Sequence, residues 1–400
     1  MKSLIFGFGV SGKGAFEFLK KRGDELVIFD EKVGTKAPLD EEILSFDQVV
    51  VSPGISLNHP LLLKAKRCGV QILGEAELGI SSLKNRIFAI TGSNGKTSSV
   101  TLAVHILKEA RLKARALGNV GVSICGYLVH PDPEEILVIE LSSYQLETLK
   151  ARNIEVGVIL NITPNHLDRY ESFEEYAKAK LHLQNCIQEG GAFYVSSQVM
   201  QDFGSWIPHA LCFEKELAPI SELEYTGQEM ASKQSMTAAY LLCKRCGVTD
   251  DEFLQGLKTY KKPPHRIEWV AKIDGVSYYN DSKSANIHSV IDAVGQMRGD
   301  VVLIAGGVHK GSSYAPWIHA FKGRVRKIIA YGQAASLLEK DLSSHFDFIK
   351  VDRFEEAVVA AKQTAQEGDV VLLSPGCSSF DQFENYEKRG EAFRLLVRGS

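Results

Sequence analysis

The sequence predicts an α/β protein of three domains built on parallel sheets, and three observations carry that reading. Strand-like apolar runs alternate with helix-like stretches along the whole chain, the mark of βαβ units. Two glycine-rich turns each follow a strand and lead into a helix, one at Gly7, Gly9 and Gly12 and one at Gly92 and Gly95. Breakers at SSLKNR, near Lys84, and at KKPPHR, where Pro263 and Pro264 cannot continue a helix, divide the chain into 1–84, 85–263 and 264–400.

In the first block SLIFGFG, ELVIFD, DQVVVSPG and VQILGEAEL are the predicted strands, with short helices between them. LIFGFGVSGKG followed by Asp30 at the end of the next strand is a dinucleotide fingerprint, so this block is Rossmann-like. The glycines permit a tight turn and close approach to a diphosphate on a helix N-terminus, and the acidic residue meets a ribose hydroxyl. Glycines that merely let strand and helix pack closely are the alternative. A second turn, Ser52-Pro53-Gly54-Ile55, faces the same sheet edge.

In the second block RIFAIT, EEILVIE, VGVILNIT and GAFYVSS are predicted strands. After RIFAIT comes Gly92-Ser93-Asn94-Gly95-Lys96-Thr97. The usual phosphate loop places four residues between its first glycine and Gly-Lys, and Ile90 occupies that first position here. The working parts are nevertheless present: a glycine turn, Lys96 for the outer phosphates and a Thr97 hydroxyl suited to Mg²⁺. Glu140 ends a strand where a magnesium ligand belongs, and His166 follows another, although Mg²⁺ prefers oxygen donors. Either residue alone reads more often as an ordinary polar strand end, and it is their coincidence with the loop that favours a metal role.

The third block offers VSYYNDS, VVLIAGG, KIIAYG, FDFIKV and DVVLLSPG as strands. Composition bounds the function classes: of 400 residues 44% are hydrophobic and 24% charged, and the net charge is −3. That balance lacks the basic excess of a nucleic-acid binder. No stretch approaches the ~20 apolar residues of a membrane span, so a cytoplasmic enzyme with no membrane partner is expected. Seven cysteines have no framework spacing, and the Cys243/Cys246 pair falls in a helix-like run, so reduced structural thiols are expected.

TGSNGKT, ELSSYQLE, NITPNHLDRY and YAKAKL together resemble the Mur ligases, which join amino acids to the peptidoglycan precursor using ATP. NDSKSAN and SPGCSSFDQFENYEKRGEAF resemble the member that adds D-glutamate to UDP-N-acetylmuramoyl-L-alanine. The resemblance covers essentially the whole chain in order. It implies a central P-loop ATPase-like domain, a Rossmann-like C-terminal domain and a monomer. It also implies a reaction in which ATP phosphorylates the precursor's carboxylate and the D-glutamate amine attacks the acyl phosphate. Phosphorylation supplies the leaving group that a free carboxylate lacks.

Carried over by residue, Gly92 to Thr97 with Arg266 and Asp281 would bind ATP, and Thr97, Glu140 and His166 would serve Mg²⁺. Lys180 would be a carbamate, an anionic oxygen ligand made from an amine; taken alone it reads as a solvated helix lysine. Lys96, Glu140, His166 and Lys180 form the implied catalytic set. Val10, Ser11, Asp30, Glu31, Lys32, Pro53 and Gly54 would bind the UDP portion, with Asn119 near the reacting end and Ser142 near the precursor's pyrophosphate or the metal. His166, Lys283, Lys310, Ser379 and Tyr386 would bind D-glutamate. Departures are Ala231, Ser232 and Ser235 where the family has a histidine and two asparagines, Ala285 for threonine, and Tyr386 for phenylalanine. The first set predicts weaker ATP binding through lost amide donors. A ligase with another amino acid, a nicotinamide oxidoreductase resting on Gly7, Gly9, Gly12 and Asp30, and a non-catalytic nucleotide switch are the alternatives.

Overall fold

The computed structural model describes residues 1–400 apart from 33, 36, 39, 168, 217–231 and 400. The described residues form three sheets. β1 (Lys2–Phe6), β2 (Glu25–Phe29), β3 (Gln48–Val51) and β4 (Gln71–Gly74) make a parallel sheet ordered β2-β1-β3-β4. β5 (Ile87–Thr91), β6 (Ala114–Gly118), β7 (Ile136–Glu140), β8 (Ile154–Ile159), β9 (Ile187–Val195) and β10 (Leu211–Cys212) make a second parallel sheet, ordered β10-β9-β8-β5-β7-β6. The third holds β11 (Glu268–Ile273), β12 (Val276–Asn280), β13 (Val301–Gly306), β14 (Val325–Tyr331), β15 (Asp347–Lys350) and β16 (Val370–Gly376). Its order is β11-β12-β16-β13-β14-β15, parallel except for the β11–β12 hairpin.

Strand composition explains these sheets. β5 reads IFAIT with every residue buried, as a central strand covered by helices on both faces requires. In β1 the period of two is visible in the packing: Leu4 and Phe6 join one core cluster, and Ile5 joins the opposite one with Ala15, Leu19 and Leu78. The hairpin turn at Asp274-Gly275 has φ of +49° and +78°, the left-handed pair that two-residue hairpin turns demand.

By packing, the backbone divides into two compact units. One takes the described residues of 1–162, 174–216 and 232–260, and the other those of 163–173 and 261–399. The first unit therefore carries both the four-stranded sheet and the β5–β10 sheet. They are joined by close helix packing. A Cβ on Gly14, in the helix Val10–Arg22, would lie 2.1 Å from Ser123 Oγ and 2.8 Å from Gly126 N, so only glycine fits. Glu77 accepts from the Lys150 and Ala151 amides at 2.6 and 2.9 Å.

The predicted CxxC lies at the end of the helix Lys233–Arg245, with Cys246 as its C-cap. All seven cysteines are free, and burial pushes the Cys243 thiol well above its ordinary value and Cys246 up to about 11. Neither is a reactive thiolate. Among the described residues no helix is long and apolar enough to cross a membrane.

At the joint within the first unit, Glu75 is buried, and its Oε1 accepts from the Cys125 amide at 2.7 Å. Its Oε2 is buried with no hydrogen-bond partner. Burial raises this carboxyl to about 7, opposed by the Cys125 hydrogen bonds. A carboxyl raised in the fold contributes its full stability below the unfolded value and loses it as pH climbs through about 7. Thermal melts from pH 4 to 8 should show wild type losing on the order of 3 kcal/mol that Glu75→Gln does not lose. Parallel profiles would show that the carboxyl is ionised in the fold.

Candidate active site

The predicted first-block contacts gather at the carboxyl edge of β1, β2 and β3, where the strand order reverses. Gly7 turns at φ +88°, and a Cβ on Gly12 would stand 1.9 Å from the Gly7 carbonyl oxygen. Val10 and Ser11 open the helix that follows, with Val10 exposed. Ser52 Oγ donates to the Gly7 carbonyl at 2.8 Å, tying the Pro53-Gly54 turn to the glycine turn. Glu31 and Lys32 are exposed, and Glu31 pairs with His59 at 3.2 Å. Asp30 does more than wait for a ribose. Its carboxylate accepts the Phe8 and Lys32 amides and so shapes the turn itself.

The second site lies at the end of β5. Gly92 has φ +151° and Gly95 has φ +81°, both in the range that favours glycine, and Gly95 caps the helix Lys96–Glu109. A helix N-terminus preceded by such a turn presents amides to an anion. Lys96 Nζ donates to the Gly92 and Ser93 carbonyls at 2.8 and 2.9 Å. Glu140, at the end of β7, is buried. Its two oxygens accept from Thr97 Oγ1 and Asn119 Nδ2, each at 2.7 Å. Ser142 caps the following short helix in a capping box with Gln145.

Lys180 is not a solvated helix lysine. It is 2% exposed, donates to the Gly92 carbonyl at 2.9 Å, and sits 4.9 Å from the Tyr176 ring one turn earlier. Tyr176 hydroxyl meets Ser93 Oγ at 2.9 Å. Burial, reinforced by the Lys96 charge, drives the Lys180 amine well below the ordinary lysine value, with Glu140 acting the other way. The expected metal donors therefore include one hydroxyl and one carboxylate in contact. Among the described residues no three His, Cys, Asp or Glu side chains form a metal cage. An oxygen pair of this kind suits Mg²⁺, which keeps most of its waters and shares ligands with phosphates.

His166 belongs to the second unit, with the rest of the described residues of 163–173. Its backbone is left-handed at φ +58°, and its amide bonds Asn165 Oδ1 at 3.0 Å. The remaining predicted residues of that unit converge at the carboxyl ends of β12, β16 and β13. Val308 and Ser378 exchange backbone hydrogen bonds at 2.9 and 3.0 Å, holding the Lys310 loop beside the buried Ser379. Lys283 Nζ lies 3.7 Å from the Tyr386 ring centroid, a cation–π contact. Asp281 is buried and accepts from Ser284 Oγ, Ser374 Oγ and the Ile267 amide; burial raises it to about 6 despite these donors and nearby Arg266.

Sequence reasoning missed Arg389. It is fully buried and donates to Ser282 Oγ and O, the Cys377 carbonyl and Tyr331 hydroxyl, stapling the loops after β12 and β16 together. An EKRG run reads as solvated, so nothing in it announced burial. Tyr176 had a usable signal, its four-residue spacing from Lys180. Of the departures, Ser232 caps the helix Lys233–Arg245 through the Ser235 amide, and Ala231 lies outside the described residues.

Residues 90–209 match the family description Mur ligase middle domain, and residues 265–377 match Mur ligase, glutamate ligase domain. The chain is 40% identical to UDP-N-acetylmuramoylalanine–D-glutamate ligase of Protochlamydia amoebophila, covering 99% of this chain and 98% of that protein. It is 34% identical to the enzyme of the same name from Caldanaerobacter subterraneus, covering 98% and 97%. Among solved structures, MurF ligase from Thermotoga maritima in complex with ADP superposes with a TM-score of 0.61 at 17% identity, over 89% of this chain and 90% of that one. MurC from the same organism gives 0.61 at 14% identity, over 100% and 99%.

A lysine lowered in the fold binds its proton less readily there than in the unfolded chain. Stability should therefore rise as pH increases from 7 toward the unfolded value of about 10.4. Melting in CO₂-free buffer should show this rise in wild type and its absence in Lys180→Met. An equal rise in both proteins would assign the slope to other groups.

Proposed function

The chain belongs to the Mur ligase family, and we propose that it is the ATP-dependent ligase that adds D-glutamate to UDP-N-acetylmuramoyl-L-alanine in peptidoglycan precursor synthesis. The observation that carries this reading is the Gly92–Thr97 turn with Lys96 folded over it and Thr97 bonded to Glu140. A nicotinamide oxidoreductase has no use for that turn. Residues 1–84 hold the UDP portion, 85–263 hold ATP, and 264–400 bring the amino acid. Both nucleotide substrates belong to the cytoplasm, which is the site of action on this reading.

Lys96 and the amides at the start of its helix neutralise the β- and γ-phosphates as the γ-phosphoryl passes to the alanyl carboxylate. Asn119 positions the reacting end of the precursor, and Ser142 lies near its pyrophosphate or the metal. Mg²⁺, when bound, supplies charge neutralisation at the phosphates, and Thr97, Glu140 and a Lys180 carbamate would hold it. Support for the carbamate is that Lys180 is buried, has a carbonyl, a hydroxyl and a ring as partners, and carries an amine biased toward the neutral form that adds CO₂. Lys283, Lys310, Ser379 and Tyr386 receive the two carboxylates of D-glutamate, with Lys283 steadied on the Tyr386 ring.

Phosphate release should require ATP, UDP-N-acetylmuramoyl-L-alanine and D-glutamate together, and L-lysine or diaminopimelate should not replace D-glutamate. Release with one of those instead would make this a sister ligase. Removing bicarbonate should lower turnover reversibly, and Lys180→Ala should lose both turnover and the bicarbonate response. Full activity of that variant would return Lys180 to a packing role.

A further inference from the structure

The Gly92–Thr97 turn is held from beneath by a chain of carboxamides that the activity above does not itself assign. Asn161 follows β8, and its backbone carbonyl accepts the Ser93 amide at 2.9 Å. Its side chain pairs with both backbone groups of Asn94: Oδ1 accepts the Asn94 amide at 2.8 Å, and Nδ2 donates to the Asn94 carbonyl at 3.3 Å. Nδ2 also donates to Gln234 Oε1 at 2.8 Å, and Gln234 Nε2 donates to the Leu160 carbonyl at 2.6 Å.

The orientations in this chain are forced. A backbone N–H at Asn94 requires the oxygen of Asn161 toward it, which turns the Asn161 NH₂ toward Gln234. Gln234 must then present oxygen to Asn161 and nitrogen to the Leu160 carbonyl. Each amide end faces only groups of the complementary kind. The next residue, Ser235, is buried, and a Cβ on Gly95 would stand 3.4 Å from its Oγ. The first turn of the helix Lys233–Arg245 is thus the floor of the glycine turn.

We propose that Gln234 is a positioning residue for the nucleotide: through Asn161 it locks the Asn94 peptide, so that the amides of Gly95, Lys96 and Thr97 keep one anion-binding geometry. It supplies an amide one residue from Ser235 and two from Ser232, the positions where amide donors were expected and are missing. Capturing the Asn94 N–H below the loop settles which amides are left to face phosphate. The inference rests on the Lys96 turn being the ATP site.

Calorimetric titration with Mg·ADP tests it, since binding is read without turnover. Wild type binds. Gln234→Ala weakens ADP about tenfold, the loss expected for one supporting hydrogen bond in the loop. It raises KM for ATP but leaves KM for D-glutamate and the thermal midpoint as in wild type. Gln234→Glu, which keeps the acceptor for Asn161 and loses the donor to Leu160, falls between them. Asn161→Ala weakens ADP at least as much, and adding Gln234→Ala to it causes no further loss. Unchanged ADP affinity in Gln234→Ala, or losses that multiply in the double variant, would overturn the role of Gln234. Wild-type protein that failed to bind ADP at all would overturn the ATP reading of the turn and this inference with it.

Discussion

Two lysine side chains donate to one carbonyl oxygen, that of Gly92, and the central sheet is arranged around that meeting. Lys96 comes from the helix after β5 and Lys180 from a helix that follows β8. The oxygen they share sits on a residue whose backbone is open only to glycine; a Cβ there would lie 3.1 Å from Leu160 Cβ. Two amines at one acceptor cannot both carry charge cheaply in a buried place; burial, reinforced by the Lys96 charge, biases the Lys180 amine toward its neutral form.

The same economy of groups recurs at the other sheet ends. Glu140 uses both oxygens on Thr97 and Asn119 and so aligns a hydroxyl and an amide before any ligand arrives. Asp30 fixes its own loop through two amides. Arg389 replaces a carboxylate partner with carbonyls and hydroxyls and thereby keeps the Lys283 and Ser379 loops in register. In each case the polar group is satisfied internally, which is what burial demands. Ligand binding then means exchanging these partners, not creating order in an open loop.

Fold class was legible because β1, β5, β7, β13 and β16 carry apolar runs that lead into a glycine turn or an acidic residue. β6, with sequence ARALG, escaped notice because it has no β-branched residue, and β11 because the amphipathic EWVAKI is an antiparallel edge. The glycine turns and Lys96 could be read from their place between strand and helix, although the usual phosphate-loop spacing fails at Ile90. Burial of Lys180 could not, since EEYAKAKLH has the composition of an exposed helix and only the tertiary fold decides which lysine points inward. Loss of the asparagines at Ser232 and Ser235 was legible as a deficit. Its counterpart at Gln234 was not, because the amide reaches its target through a second side chain, and no linear pattern encodes that. The assignment of His166 to the second unit was equally hidden, as chain neighbours of β8 gave no hint of it.

Gly14 against Gly126 is a contact with no slack, and it bolts the helix of the first glycine turn to the sheet that bears the second. On the proposed reading, the distance between a diphosphate at one turn and a phosphoryl donor at the other would then be a property of the polypeptide, like the spacing of jaws on a fixed gauge, and a precursor would be measured before it is activated.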